Sequence, residues 1–116
     1  MTSHLEIREG GQLWLALEND RSAEVELQAI DVVLAHRGKE FEGEVLPYKK
    51  TFAAGEHTAL NLGKFVRMHL QMQGAQTGNA VQVTCRLLAF AEDPADAEAA
   101  PASLTVHWSG DQFTVA

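Results

Sequence analysis

A single cysteine, Cys85, stands in the 116 residues. No disulfide can form within the chain, so its core must hold the fold. Long apolar runs are missing too, and no stretch approaches the ~18 apolar residues that a membrane-spanning helix needs. Basic residues are few: nine Lys and Arg stand against 16 Asp and Glu, a formal net charge of −7. That balance excludes the clustered cations by which proteins hold a phosphate backbone or an anionic membrane surface. The first residues, Met1-Thr2-Ser3-His4-Leu5, have no basic region leading into an apolar run, so no signal peptide is expected. With no disulfide to form, a cytoplasmic location is the default expectation. Phosphate-cradling glycine loops are absent as well. Gly10-Gly11 and Gly74…Gly78 lack the lysine such loops use and read as turns.

What the chain does have is alternation. A hydrophobic fraction of 46% with 22% charged residues is that of a soluble globular domain, and the length fits one domain over residues 1–116. Leu5 and Ile7, then Leu13, Leu15 and Leu17, then Val25, Leu27 and Ala29 recur every second residue, the period of a half-buried strand. The phase then shifts, and Ile30, Val32 and Leu34 take the opposite parity. A β-bulge near Ala29-Ile30, or a strand crossing between sheets, produces such a shift; a short helix over Ala29–Ala35 is the competing reading, and the β-branched Val32 and Val33 favour the strand. Phe41 lies between Gly38 and Gly43 in a charged loop, and Pro47 confines the short strand expected over Tyr48–Phe52 to an edge. Thr58, Leu60 and Leu62 alternate after a turn. Phe65–Gln73 reads as a strand with Val66, Met68, Leu70 and Met72 toward the core, hairpinned to a strand over 80–90 carrying Val81, Val83, Cys85 and Leu87. Residues 92–103 hold four acids, two prolines and no large apolar residue, and predict a mobile solvated loop. Leu104, Val106 and Trp108, then Phe113 and Val115, close the chain. No amphipathic helix is expected. About seven to nine short strands predict an antiparallel β-sandwich, with a small barrel as the alternative.

Leu13-Trp14-Leu15-Ala16-Leu17-Glu18-Asn19, then Ser22 and Val25-Glu26-Leu27, resembles two paired strands of immunoglobulin-like sandwich domains. There an apolar strand ends in Asn, turns through Ser and returns alternating. Phe52-Ala53-Ala54-Gly55-Glu56 is similar to the hydrophobic-x-x-Gly-Glu turn of the same class. The likeness covers about a third of the chain, omits the Cys…Trp…Cys pattern of true immunoglobulin domains, and implies a fold without implying an activity.

Candidate chemistry thins out on inspection. His4, His36, His57, His69 and His107 are scattered, with no two within five residues, so no local metal-chelating motif exists. Surface histidines on solvated strands are the simpler account, and no metal or cofactor is expected. Cys85 shares the parity of Val81, Val83 and Leu87, which makes it a small core residue and no nucleophile. Glu24 with Glu26, and Glu40 with Glu42, are spaced like paired carboxylates, but solvent exposure explains them equally. No catalytic residue is assigned.

A protein-binding face is the more productive expectation. Phe65, Arg67, His69, Gln71 and Gln73 fall on the polar side of the predicted strand, beside Thr84, Arg86, Leu88 and Phe90 of the next. Trp14 opposes the parity of Leu13 and Leu15 and asks what covers it. The candidate interface is therefore Trp14, Phe65, Arg67, His69, Gln71 and Arg86, in a non-catalytic binding or assembly module whose partner is another protein or a second copy. The alternatives are a small ligand- or metal-binding barrel or enzyme, with Tyr48, His57, His69 and His107 as first residues of interest, and an accessory domain of a surface assembly.

Overall fold

The computed structural model describes residues 1–36, 39–41, 43–75 and 77–116. Gly38, Glu42 and Gln76, which the sequence placed in loops and an acid pair, lie outside the described residues. The strands are β1 (Thr2–Arg8), β2 (Gln12–Glu18), β3 (Val25–His36), β4 (Lys39–Glu40), β5 (Glu44–Phe52), β6 (His57–Asn61), β7 (Ala80–Phe90), β8 (Ala102–Ser109) and β9 (Gln112–Val115). Helix α1 (Gly63–Met72) lies between β6 and β7, and the single turn α2 (Pro94–Ala97) between β7 and β8.

Antiparallel pairing sorts the strands into two sheets. One has the order β1-β2-β6; the other has β4-β3-β7-β8-β9, with β5 also paired to β3. The sheets stack as a sandwich and do not close, so the barrel alternative is corrected. Leu13, Leu15 and Leu17 from the first sheet meet Leu27, Ile30, Val81, Val83, Cys85 and Val106 from the second, all fully or almost fully buried. The predicted parity of β2, β7 and β8 follows from this burial. Pro47 does lie in a strand, but on β5, which pairs with β3 alone, and there its missing N–H costs no ladder bond.

The phase shift in β3 is a bulge. The register of β3 with both neighbours slips between Leu27 and Ala29. Leu27 and Ile30 consequently both point into the core and are fully buried. The twelve-residue strand stays unbroken, so it does not cross between sheets.

Three connections do cross, β2 to β3, β5 to β6, and β6 to β7 through α1, and one side chain ties the first two together. Asn19 is fully buried. Its Nδ2 donates to the carbonyls of Ala23, Phe52 and Ala53 at 2.8, 3.2 and 3.1 Å. Its Oδ1 accepts from the Arg21 amide at 3.2 Å. Its own amide donates to the Glu56 carbonyl, and its carbonyl accepts from Gly55, both at 2.8 Å. The Asn that ends the apolar strand and the Gly-Glu turn, separate signals in the sequence, are thus one hydrogen-bonded knot.

The largest correction concerns Phe65–Gln73, which is helix and no strand. In a helix, Val66 and Leu70 fall on one face and are fully buried, while Met68 and Met72 turn outward at 47% and 69% exposure. The predicted hairpin with β7 therefore does not exist, and β7 pairs with β3 and β8. Asn61, one residue ahead of the Leu62 N-cap, accepts from the Gly63 amide through its Oδ1 at 3.0 Å and so takes up the first helical N–H. Gly74, at φ +71°, ends it: its amide donates to the Gln71 carbonyl and the Ala75 amide to Leu70. That is a Schellman motif, whose left-handed position favours glycine. Arg67, Lys64, Leu70, Met68, Met72 and Gln71 are strong helix formers, and Val66 is the one β-branched residue in the segment. Residues 92–103 also differ from a plain loop. Asp93 caps α2 through the Ala95 amide, and Ala102 already belongs to β8 and is buried.

Two stability measurements check this account. Asn19→Ala removes the partner of the buried Phe52 carbonyl and of the part-buried Ala23 and Ala53 carbonyls and Arg21 amide, and is expected to lower the urea-unfolding free energy by roughly 1–3 kcal/mol; a loss below about 0.5 kcal/mol would show the knot to be incidental. Leu70→Ala is expected to cost about 2–5 kcal/mol through lost packing, whereas Met68→Ala changes stability by less than ~0.5 kcal/mol. Equal losses at both positions would restore the strand reading.

Candidate functional site

The two outer faces of the sandwich differ. On the three-stranded sheet, Trp14 lies between Glu6 and Asn61, Ala16 between His4 and Ala59, and Glu18 between Thr2 and His57. The small side chains of Ala16 and Ala59 leave a shallow hollow of about 460 Å³ bordered by His4, Arg8, Glu18 and His57. Trp14 is covered from within the chain: the Arg8 guanidinium sits 4.6 Å from its ring centroid. Arg8 also reaches Glu6 Oε1 at 2.6 Å, and this hydrogen bond holds the Glu6 carboxyl below its ordinary range.

The outer face of the six-stranded sheet is built on β3 and β7. Its register places Val45, Asp31 and Arg86 in one row, Pro47, Ala29 and Leu88 in the next, and Thr51, Glu26 and Phe90 beyond. Val45, Leu88 and Phe90 are 52%, 45% and 65% exposed. Toward the other end, Asp31, Val33, Ala35, Glu40, Gln82, Thr84 and Arg86 line an open, polar hollow of about 440 Å³. Glu26 is paired with Lys49 at 3.5 Å across the edge of this face. The result is an apolar strip beside a charged row, carried on the two central strands.

The six candidate interface residues do not share a surface. Trp14 lies outside the three-stranded sheet and Arg86 outside the six-stranded one, on opposite sides of the sandwich. Phe65, Arg67, His69 and Gln71 belong to α1 and point in several directions. Arg67 reaches toward the Asp111 carbonyl at 3.5 Å. His69 is buried, corrected from a strand surface; its ring stacks edge-on to Phe65 at 4.4 Å, and its Nδ1 lies 4.0 Å from Glu44. Gln71 is exposed. The half of the expected face that does persist is Thr84, Arg86, Leu88 and Phe90 on β7, now flanked by Ala29, Asp31 and Val45. Sequence alternation carries the β7 half. Val45 escapes it because Pro47 hides the start of β5, which alternation shows only from Tyr48.

The scattered histidines and Tyr48 assemble no centre. His57 and His107 lie on opposite outer faces, Tyr48 is half-buried on β5, and His69 sits in α1. Among the described residues no group of three or more His, Cys, Asp or Glu side chains converges as a metal site, and no helix is long and apolar enough to cross a membrane. Cys85 is fully buried, and burial, with a smaller contribution from Asp31, pushes its thiol up to about 12.

Comparison with models of known families and with curated proteins finds no match. Among solved structures the chain is similar to a protein from Archaeoglobus fulgidus, with 10% identity over 98% of this chain and 93% of that one, at a TM-score of 0.50. Likeness at that identity concerns the fold alone and agrees with an all-β sandwich.

Cys85 offers a direct check on the absence of a thiol nucleophile. At pH 8 the folded protein is expected to resist Ellman's reagent for hours and to react within minutes once unfolded in guanidinium. Prompt, stoichiometric labelling of the folded chain would refute the burial argument.

Proposed function

We propose that this chain is a non-catalytic protein-binding or assembly module of the immunoglobulin-like sandwich class, and that it binds through the outer face of its six-stranded sheet. The class is supported by the strand order, β1-β2-β6 against β5-β3-β7-β8, and by the joined Asn19 and Gly55-Glu56 signals. The observation that carries the binding reading is the exposure of Val45, Leu88 and Phe90 on and beside the central strands. A solvated sheet face normally alternates polar side chains outward. Contiguous apolar surface of this kind marks interaction sites in soluble proteins, and aromatic residues are enriched in them. A barrel-type ligand site has no support from two sheets that stay open.

Site-specific cross-linking tests this. A photoreactive phenylalanine analogue at Leu88 is expected to give a discrete adduct in living cells, lost on adding Phe90→Asp. The same probe at exposed Ser109, at the end of β8, is expected to give none. Equal or absent labelling at both positions would refute the proposed face.

A further inference from the structure

The proposed binding face complements itself. Along β7 the outward side chains include Arg86 and Leu88. Beside each, on β3, stands its counterpart in charge or size: Asp31 beside Arg86, and Ala29 beside Leu88. A twofold axis lying in the interface, parallel to the strands and midway between β3 and β7, lays β3 of one copy over β7 of the other. Arg86 then faces the second copy's Asp31, and Leu88 enters the space over the second copy's Ala29. Both contacts occur twice, as an isologous interface requires.

We infer that the occupant of this face is a second copy of the chain, paired across that axis. The inference rests on the reading of this face as a protein-binding surface and adds the identity of the partner. Three observations support it. First, Asp31 and Arg86 form no ion pair within 4.0 Å in the single chain among the described residues, so both charges are free to pair outward. Second, an acidic chain of net charge −7 repels its copies over most of its surface. This face carries Lys49 and Arg86 against Glu26, Asp31 and, at the polar hollow, Glu40, so its central rows balance and the excess acid sits at the hollow's end. Third, the size suffices. About three neighbouring strands at about 4.8 Å spacing, since β5 flanks only the Cys85–Phe90 half of the face and β8 only the Ala80–Cys85 half, over the eleven residues of β7 at ~3.3 Å each, present roughly 500 Å² per copy. Twice that is the lower end of specific interfaces, which suits a reversible dimer.

Charge reversal isolates the geometry. In size-exclusion chromatography with light scattering at tens of micromolar, the wild type is expected near twice the 12.7 kDa chain mass. Asp31→Arg sets Arg against Arg86, and Arg86→Asp sets Asp against Asp31, so each single variant is expected at the monomer mass. An equimolar mixture of the two is expected to recover the dimer, because every facing pair is then complementary. Circular dichroism confirms that each variant folds. Should a reversal unfold the chain, Leu88→Asn, at an exposed site, is expected to give the monomer in its place. A monomeric wild type, dimeric single variants, or a mixture that stays monomeric beside a dimeric wild type overturns the inference. If the wild type is monomeric while Leu88 still cross-links to a different chain, self-pairing fails and the binding face stands. If the cross-link is also absent, both fail.

Discussion

The sandwich depends on how two of its three sheet-crossing connections, β2 to β3 and β5 to β6, are held at one end, and Asn19 holds both. Where a chain leaves one sheet for the other, its backbone groups lose their ladder partners and still need hydrogen bonds if water is excluded. A side-chain amide solves this in little space, since it donates twice and accepts on the other side. Here the donors meet carbonyls of the β2–β3 connection and of the β5–β6 turn, and the acceptor meets Arg21. The turn is braced further by Glu56, whose carboxylate accepts from the Ala53 amide and meets Lys50 at 2.8 Å. The Lys50 hydrogen bond, first, and the Ala53 amide, second, keep that carboxyl below its ordinary range, so it stays ionised to lower pH than a free glutamate. With both crossings fixed to one residue, the starts of β3 and β6 are positioned together, and this sets how the sheets stack.

From that anchored start, the bulge after Leu27 decides what the outer face carries. Without it, continued alternation would turn Ile30, Val32 and Leu34 to solvent and bring Asp31 and Val33 inward. One extra residue keeps the large aliphatics in the core on both sides of the irregularity and leaves small Ala29 outward next to Leu88. The bulge was legible in the sequence because a change of parity among large residues has few other causes in a strand. The buried parities of β2, β7 and β8 were legible for the same reason.

Helix α1 was not legible from alternation because its sequence satisfies two periods. Val66, Met68, Leu70 and Met72 recur every two residues, but Val66 and Leu70 are also four apart. The signals that separate the periods lie in side-chain type and in the ends. The segment is poor in β-branched residues, Asn61 can take up its first amide, and Gly74 can take the left-handed turn that stops it. Reading those ends would have moved Phe65, Arg67, His69 and Gln71 off the candidate face. Trp14 posed a different problem. Its cover, Arg8, comes from the neighbouring strand, and only the β1–β2 register brings the guanidinium over the ring. Long-range placement of this kind has no local sequence signature.

The remaining question is why such a face would persist on a chain this acidic. Net charge opposes association in general, but it acts through the surfaces that approach each other. On the six-stranded face, Glu26 is already neutralised by Lys49, and Asp31 stands level with Arg86. An exposed ion pair contributes little to stability, because water solvates its members as well as they solvate each other. Across an interface, the same charges contribute chiefly by fixing register, because a wrong alignment sets like charges together at a cost of several kcal/mol. Leu88 and Phe90 would supply the apolar contact, and Asp31 and Arg86 would select which surface can make it. The division matches where the residues stand: the aliphatic and aromatic side chains occupy one end of β7, and the charged row bounds them on the side of the polar hollow. A partner that matched only the apolar strip would leave Asp31 and Arg86 desolvated and unpaired, so the charged row narrows the choice that hydrophobic contact alone leaves open.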